Sequence, residues 1–361
     1  MSADTAISRI IRDITDKLGA IGRPVAMMEV CGTHTMAIHR HGLAAAMPSG
    51  LRLRSGPGCP VCVTPSGYID LAIELAKDDD VLVTTFGDMV RVPGSDETLE
   101  TARAAGGRVT VVQSPLEAVE VAGRNPDLEV VFLAIGFETT APTIAAAVLE
   151  AEKCGLDNFR LLAGGKLVPP ALRALLEQPE LAIDGLLLPG HVSAVIGLEP
   201  YGFIADEFGI ACAVAGFEPG DIVRAISTLL DIIGDGEPDV VNVYERVVRP
   251  AGNPRAREVM DRVFTARDDT WRGFGTIPSS GLDVRDEYRR FDVCAERGIE
   301  VSAGEEPAGC RCGDVVRGLI DPDGCALFGM ACSPEHPIGP CMVSSEGTCA
   351  AHYKYGSGTQ L

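Results

Sequence analysis

Aromatic residues are scarce in this chain: they make up 5% of its 361 positions, with a single tryptophan. A core must therefore be built mainly from Ala, Val, Ile and Leu. Basic residues are also few, with 31 Lys and Arg against 51 Asp and Glu and a formal charge of −20. That balance excludes a nucleic acid or an anionic membrane surface as the main partner. No apolar run reaches the roughly 20 residues that a membrane span needs. Residues 1–18 lack the basic start, long apolar stretch and small-residue cleavage site of a secretory signal. The expectation is a soluble, cytoplasmic protein. No glycine-rich turn matches a phosphate-binding loop or a dinucleotide fingerprint. Disorder is excluded by 46% hydrophobic and 23% charged residues.

Cysteine, in contrast, is plentiful. There are 12, and six of them fall between positions 310 and 349. In a reducing compartment such cysteines point to metal ligands or redox thiols before structural disulfides. The length predicts two or three domains. Ile7, Ile10, Ile11, Ile14 and Leu18 repeat at helical spacing and predict a helix over 1–20. Short apolar runs ending in glycine turns then alternate with helical stretches. One set covers 25–30, 51–54, 81–86 and 108–112; a second covers 129–135, 159–163, 185–188 and 210–215. This rhythm reads as parallel sheet, with one α/β domain at 21–125 and another at 126–235. Residues 233–238 read as a linker, 240–248 and 253–264 as helices, and 271–280 as a Gly-, Pro- and Ser-rich loop. Beyond 305 the chain is rich in Cys, Gly and Pro and has little periodicity. It needs a staple, which a metal cluster would supply. The third domain is 236–361, mostly helical or irregular.

In open parallel sheets the loops after the strands carry the chemistry, and the unusual residues sit there. Cys310, Cys312, Cys325, Cys332, Cys341 and Cys349 offer six thiolates where a site needs four. The segment has no Cys-x-x-Cys knuckle of the zinc kind, which favours iron–sulfur chemistry. Cys59-Pro-Val-Cys62 is a redox pair or half of a zinc site completed by Cys31 and His34. Cys31, three residues before His34, is a metal ligand, a nucleophile or a buried structural thiol. His191 ends a strand in Pro-Gly-His. Asp88 and the Gly-Phe-Glu-Thr-Thr turn at 136–140 put acid and hydroxyl groups on the same rim, as ligand contacts or helix caps. His39 and His41 read as surface residues, and Cys154, Cys212 and Cys294 as core thiols.

Taken together these strings resemble one family, the HypD proteins of nickel–iron hydrogenase maturation. The matching stretches are EVCGTHT at 29–35, GPGCPVCVTP at 56–65, TFGDMVRVPGS at 85–95, AIGFETTAPT at 134–143, PGHVSAVIG at 189–197, CRCGDVVRG at 310–318 and CMVSSEGTC at 341–349. They occur in order over nearly the whole chain. The resemblance implies two Rossmann-like α/β domains and a C-terminal domain carrying a 4Fe-4S cluster. It implies a scaffold that, with a small HypC partner, holds an iron ion while two cyanides and one carbon monoxide are attached. HypE would deliver the cyanides, and the product would pass to the hydrogenase large subunit.

Carried over residue by residue, the family's cluster spacing selects Cys310, Cys325, Cys332 and Cys349 and leaves out Cys312 and Cys341. Cys31 matches the thiolate that holds the iron jointly with a HypC cysteine. Cys59 and Cys62 match the redox pair, and His191 a histidine facing the iron. His34 is present, but the family's second histidine is replaced here by Met36. The implied role is a redox-active assembly scaffold. The alternatives are a stand-alone iron–sulfur oxidoreductase using the same Cys59–Cys62 pair, and a zinc-stapled binding module.

Overall fold

The computed structural model describes residues 3–356. Nine strands form two all-parallel sheets. The first sheet holds β1 (Val25–Glu29), β2 (Leu51–Ser55), β7 (Gly185–Pro189), β8 (Ala211–Ala215) and β9 (Val240–Asn242), in the order β2-β1-β7-β8-β9. The second holds β3 (Val81–Thr85), β4 (Val109–Val111), β5 (Glu129–Gly136) and β6 (Phe159–Gly165), in the order β4-β3-β5-β6. Helices cover both, so the central strands are apolar along their length. Leu186, Leu187 and Leu188 on β7 and Phe132 and Leu133 on β5 are fully buried.

The two Rossmann-like sheets are present, but their strands do not divide at residue 125. β1 and β2 belong with β7, β8 and β9, and the second sheet is built wholly from the chain between them. Register shows why: Met27 to Glu29 lie against Gly185 to Leu187. The chain leaves the first sheet after β2, through Cys59 and Cys62, and returns after β6. The expected helix at 240–248 is the edge strand β9 followed by a turn, and its polar neighbours suit an edge position. The helix expected over 253–264 runs Pro254–Val263, capped by Asn253.

The segment expected as a loop at 271–280 is part of an antiparallel hairpin, β10 (Phe264–Trp271) and β11 (Gly275–Val284). Lys166 pairs with Gly281, so the hairpin prolongs the β6 edge. The buried Lys166 ammonium reaches Asp269 at 2.6 Å. The leading helix, Ala3–Ile21, packs on Pro219–Asp235 beside the first sheet. Its Lys17 donates to Ser227 Oγ at 2.7 Å and Asp231 at 2.8 Å. Beyond residue 300 only short turns and the helices Cys312–Val316 and Thr348–Tyr355 appear, as an irregular cysteine-rich segment should look. Of the three cysteines expected in the core, Cys212 is buried. Cys294 is half-buried, and Cys154 lies exposed just past the helix Ala141–Lys153.

Candidate functional site

The C-terminal ends of the two sheets share one cleft. After β1 the chain turns at Cys31, which has extended backbone and caps the helix Gly32–Arg40. Its sulfur lies near the first free amides of that helix, and those of Thr33 and His34 favour the thiolate. Burial nevertheless pushes the thiol up to about 12, and the nearby Glu346 and Glu29 carboxylates add to the effect. The turn is fixed from below. The buried Glu29 carboxylate accepts the Cys31 N–H at 3.0 Å and the Thr35 hydroxyl, and its own pKa is pushed up to about 7 by burial. Gly58 leaves room for it: a Cβ there would lie 2.3 Å from Cys31 N.

Cys31, Thr33, Pro60, Thr140, His191 and Glu346 line a chamber of about 200 Å3. Pro60, Thr140 and Glu346 also border a second chamber of about 440 Å3, which holds Cys59 and Asp88. Glu346 accepts from Thr33 Oγ1 at 2.6 Å, and Ser344, two residues earlier, donates to Asp88 at 2.8 Å. The cysteine-rich segment thus bridges the loops of both sheets.

His34 is wholly buried. Its Nε2 lies 3.0 Å from the Gly216 carbonyl oxygen, an acceptor only, so Nε2 carries the proton. Nδ1 then keeps its lone pair, buried with no hydrogen-bond partner. Burial lowers this imidazole to about 4. Phe217, which the sequence reading did not single out, lies between the two histidines. Its ring centroid is 4.7 Å from His34 and 3.9 Å from His191, stacked on both. Partial burial also lowers the His191 pKa. Met36, where the second histidine of the motif would stand, lines a separate groove with Met342 and Tyr353. His39 is half-buried against His352, with ring centroids 5.4 Å apart.

Cys59 and Cys62 are both buried, on the short helical turn that leaves β2. The Cys62 thiol contacts Cys59 on one side and Cys341 on the other, and burial pushes its pKa well up. Cys341 in turn meets Cys312 and Cys349, and the sulfurs of these last three lie within 4.8 Å of one another. Sulfur is therefore continuous from Cys59 to Cys349. The cluster pattern implied by the resemblance left out Cys312 and Cys341, and their contacts become visible only in three dimensions.

Cys310, Cys312, Cys325, Cys332 and Cys349 line one apolar recess with Val315, Leu327, Phe328 and Met342. Soft sulfur donors in an apolar nest suit an iron–sulfur cluster. The backbone also fits. Ile338 N–H points at Cys332 Sγ at 3.3 Å, and a Cβ on Gly339 would lie 2.6 Å from the sulfurs of both Cys310 and Cys312.

The family described as "HypD: Hydrogenase formation hypA family" matches residues 5–356. The chain belongs to the HypD family. It is 45% identical over 352 residues to the hydrogenase maturation factor HypD of Rhodobacter capsulatus, covering 96% of this chain and 93% of that one. It is 44% identical over 335 residues to the Escherichia coli K12 factor of the same name, covering 92% and 90%. With the Azotobacter vinelandii factor the identity is 43% over 341 residues, covering 92% and 90%. In this HypD-family chain, no helix among the described residues is long and apolar enough to cross a membrane.

Proposed function

We propose that this chain is a cytoplasmic scaffold for hydrogenase maturation. It holds an iron ion at Cys31, jointly with a cysteine of a HypC-like partner, while two cyanides and one carbon monoxide are attached. A HypE-like donor supplies the cyanides, and the finished unit passes to the hydrogenase large subunit. Cys31 holds its proton firmly when alone, so iron binding displaces that proton and yields the soft thiolate that low-spin iron prefers. His191 faces the same chamber with a neutral imidazole. His34 keeps its proton on Nε2 and a free lone pair on Nδ1. Asp88 borders the adjoining chamber, where its carboxylate accepts from Ser344.

Cys310, Cys325, Cys332 and Cys349 would hold the 4Fe-4S cluster, which supplies one electron at a time when bound. The Cys59–Cys62 pair carries two electrons and two protons as it passes between disulfide and dithiol. The observation that supports this reading most is the row of sulfurs. It begins at Cys59, on the rim of the cleft that holds Cys31 and His191, and passes through Cys62 and Cys341 to the cysteine recess.

The test is an infrared spectrum of the chain purified without oxygen, with its small partner, from cells making hydrogenase. Bound cyanide and carbon monoxide absorb where protein does not. The bands should vanish in Cys31→Ala and weaken strongly in Cys59→Ser. Bands that persist in Cys31→Ala would sink the assignment of the iron. A brown, assembled complex with no such bands would point instead to an iron–sulfur thiol oxidoreductase.

A further inference from the structure

The turn of the β10–β11 hairpin carries a charged group where charge is costly. The Arg272 side chain is 1% exposed. Its backbone N–H donates to Val63 O at 2.8 Å, and its Nε to Thr64 O at 3.0 Å. Those carbonyls directly follow Cys62. Its Nη1 meets Glu306, whose side chain is 49% exposed. Its Nη2 is buried with no partner. The next residue, Gly273, is pressed against the helix that starts at Cys312: a Cβ on Gly273 would lie 2.6 Å from Gly313 Cα. The guanidinium thus lies against the carbonyls of the Cys59–Cys62 turn, and the residue after it touches the helix that opens the cysteine recess.

A buried ion with an unused donor is costly and calls for an explanation. An arginine cannot shed its proton to escape burial. Its half-exposed partner is screened by water, so a net positive field remains on the buried side. The recess is where negative charge gathers when four thiolates ligate an iron–sulfur cluster, and it grows by one unit when an electron arrives.

We propose that Arg272 is a positioning residue for electrons: the buried counter-charge of the cysteine recess, set against Glu306, that fixes how readily the recess accepts an electron. This rests on the reading that the recess holds an iron–sulfur cluster. The step is a one-electron reduction. The electron comes from dithionite in the test, no bond forms or breaks, and no proton is required. Arg272 does not touch the transferred electron's donor or acceptor atoms. It acts through the field, as net charge and nearby donors do for such clusters generally.

The experiment is a redox titration with dithionite and mediators on the full chain reconstituted with iron and sulfide, read by absorbance and electron paramagnetic resonance. Arg272→Met should move the oxidised-to-reduced ratio about tenfold toward the oxidised form, a fall of about 59 mV for one electron. Arg272→Lys should stay within about threefold of the wild type, the tenfold step being 59 mV. Glu306→Gln, which frees the cation, should move the ratio the other way. A purely structural arginine gives no such opposition of sign. The proposal is overturned if Arg272→Met titrates with the wild type, or if both variants shift in one direction. If Arg272→Met assembles no cluster, Glu306→Gln decides alone: no shift toward the reduced form overturns it. A reconstituted wild type that stays colourless refutes the cluster reading itself. The counter-charge then falls with that reading, whereas a brown wild type beside an unmoved Arg272→Met overturns the counter-charge alone.

Discussion

Replacing Phe217 by alanine should release the histidines of the cleft. The ring covers one face of His34 at 4.7 Å and one face of His191 at 3.9 Å. Burial lowers His34 from 6.5 to about 4, which is worth about 3.4 kcal/mol against protonation. Opening one ring face to water should return a part of this, about one unit or 1.4 kcal/mol, and leave His34 titrating near about 5. The protonated fraction at a given pH above that value then rises about tenfold. Phe217→Leu keeps an apolar cover and should move the value far less. The assay is a proton NMR titration of the imidazoles, of which the chain has only six. Stability should follow. In the wild type the unfolded chain binds the His34 proton below pH 6.5 and the folded one only near 4. His34 therefore costs stability as pH falls through that window. In Phe217→Ala the loss should stop about one unit earlier, near about pH 5. An unmoved His34 titration in Phe217→Ala would falsify the argument, because the shift would then have to arise from other neighbours.

Two further outcomes can be checked. Gly58→Ala puts a Cβ 2.3 Å from Cys31 N and 2.4 Å from its Cα, so the Cys31 turn must move. Iron loading should fall at least tenfold, while the brown colour of a reconstituted cysteine recess stays. Equal loss of both would mean that the substitution damages the whole fold. Glu138 is buried, accepts the Val168 N–H at 2.9 Å, leaves Oε2 unpaired and is pushed up to about 7. Its contribution is present below pH 4.5 and lost as pH rises through about 7. Glu138→Gln should therefore match the wild type in urea at low pH and exceed it by about 3 kcal/mol at pH 8. A gap that is the same at both pH values would count against an ionised, buried Glu138.

The alternation of apolar runs and glycine turns announced a parallel α/β protein, because strands buried on both faces must be apolar throughout. It also placed Cys31, Cys59, Asp88 and His191 on turns after strands, which is why they meet in one cleft. Partner choice between strands was not legible. Val25–Glu29 and Val81–Thr85 are chemically alike, and nothing in either says which sheet it joins. The hairpin escaped notice because its strands carry charge and glycine, as an edge ribbon can. Cys312 and Cys341 were set aside by the cluster pattern carried over from the family, which does not report distance between sulfurs. Phe217 and Arg272 had no motif to mark them. Their importance lies in what they touch, the two imidazoles in one case and the carbonyls behind Cys62 in the other.

The order in which the strands enter the first sheet has a consequence for the newborn protein. Cys31 leaves the ribosome roughly 160 residues before His191 and more than 300 before Glu346. At common synthesis rates of about 5–20 residues per second, the cysteine waits some 8–32 s for the histidine. During that time every strand of the second sheet, one unbroken stretch, has been made, while β1 and β2 still lack β7. The cleft closes only when the last cysteines arrive. A half-made chain therefore presents no finished pocket for stray metal, and competence to receive iron becomes a certificate that the segment carrying Glu346 has been made.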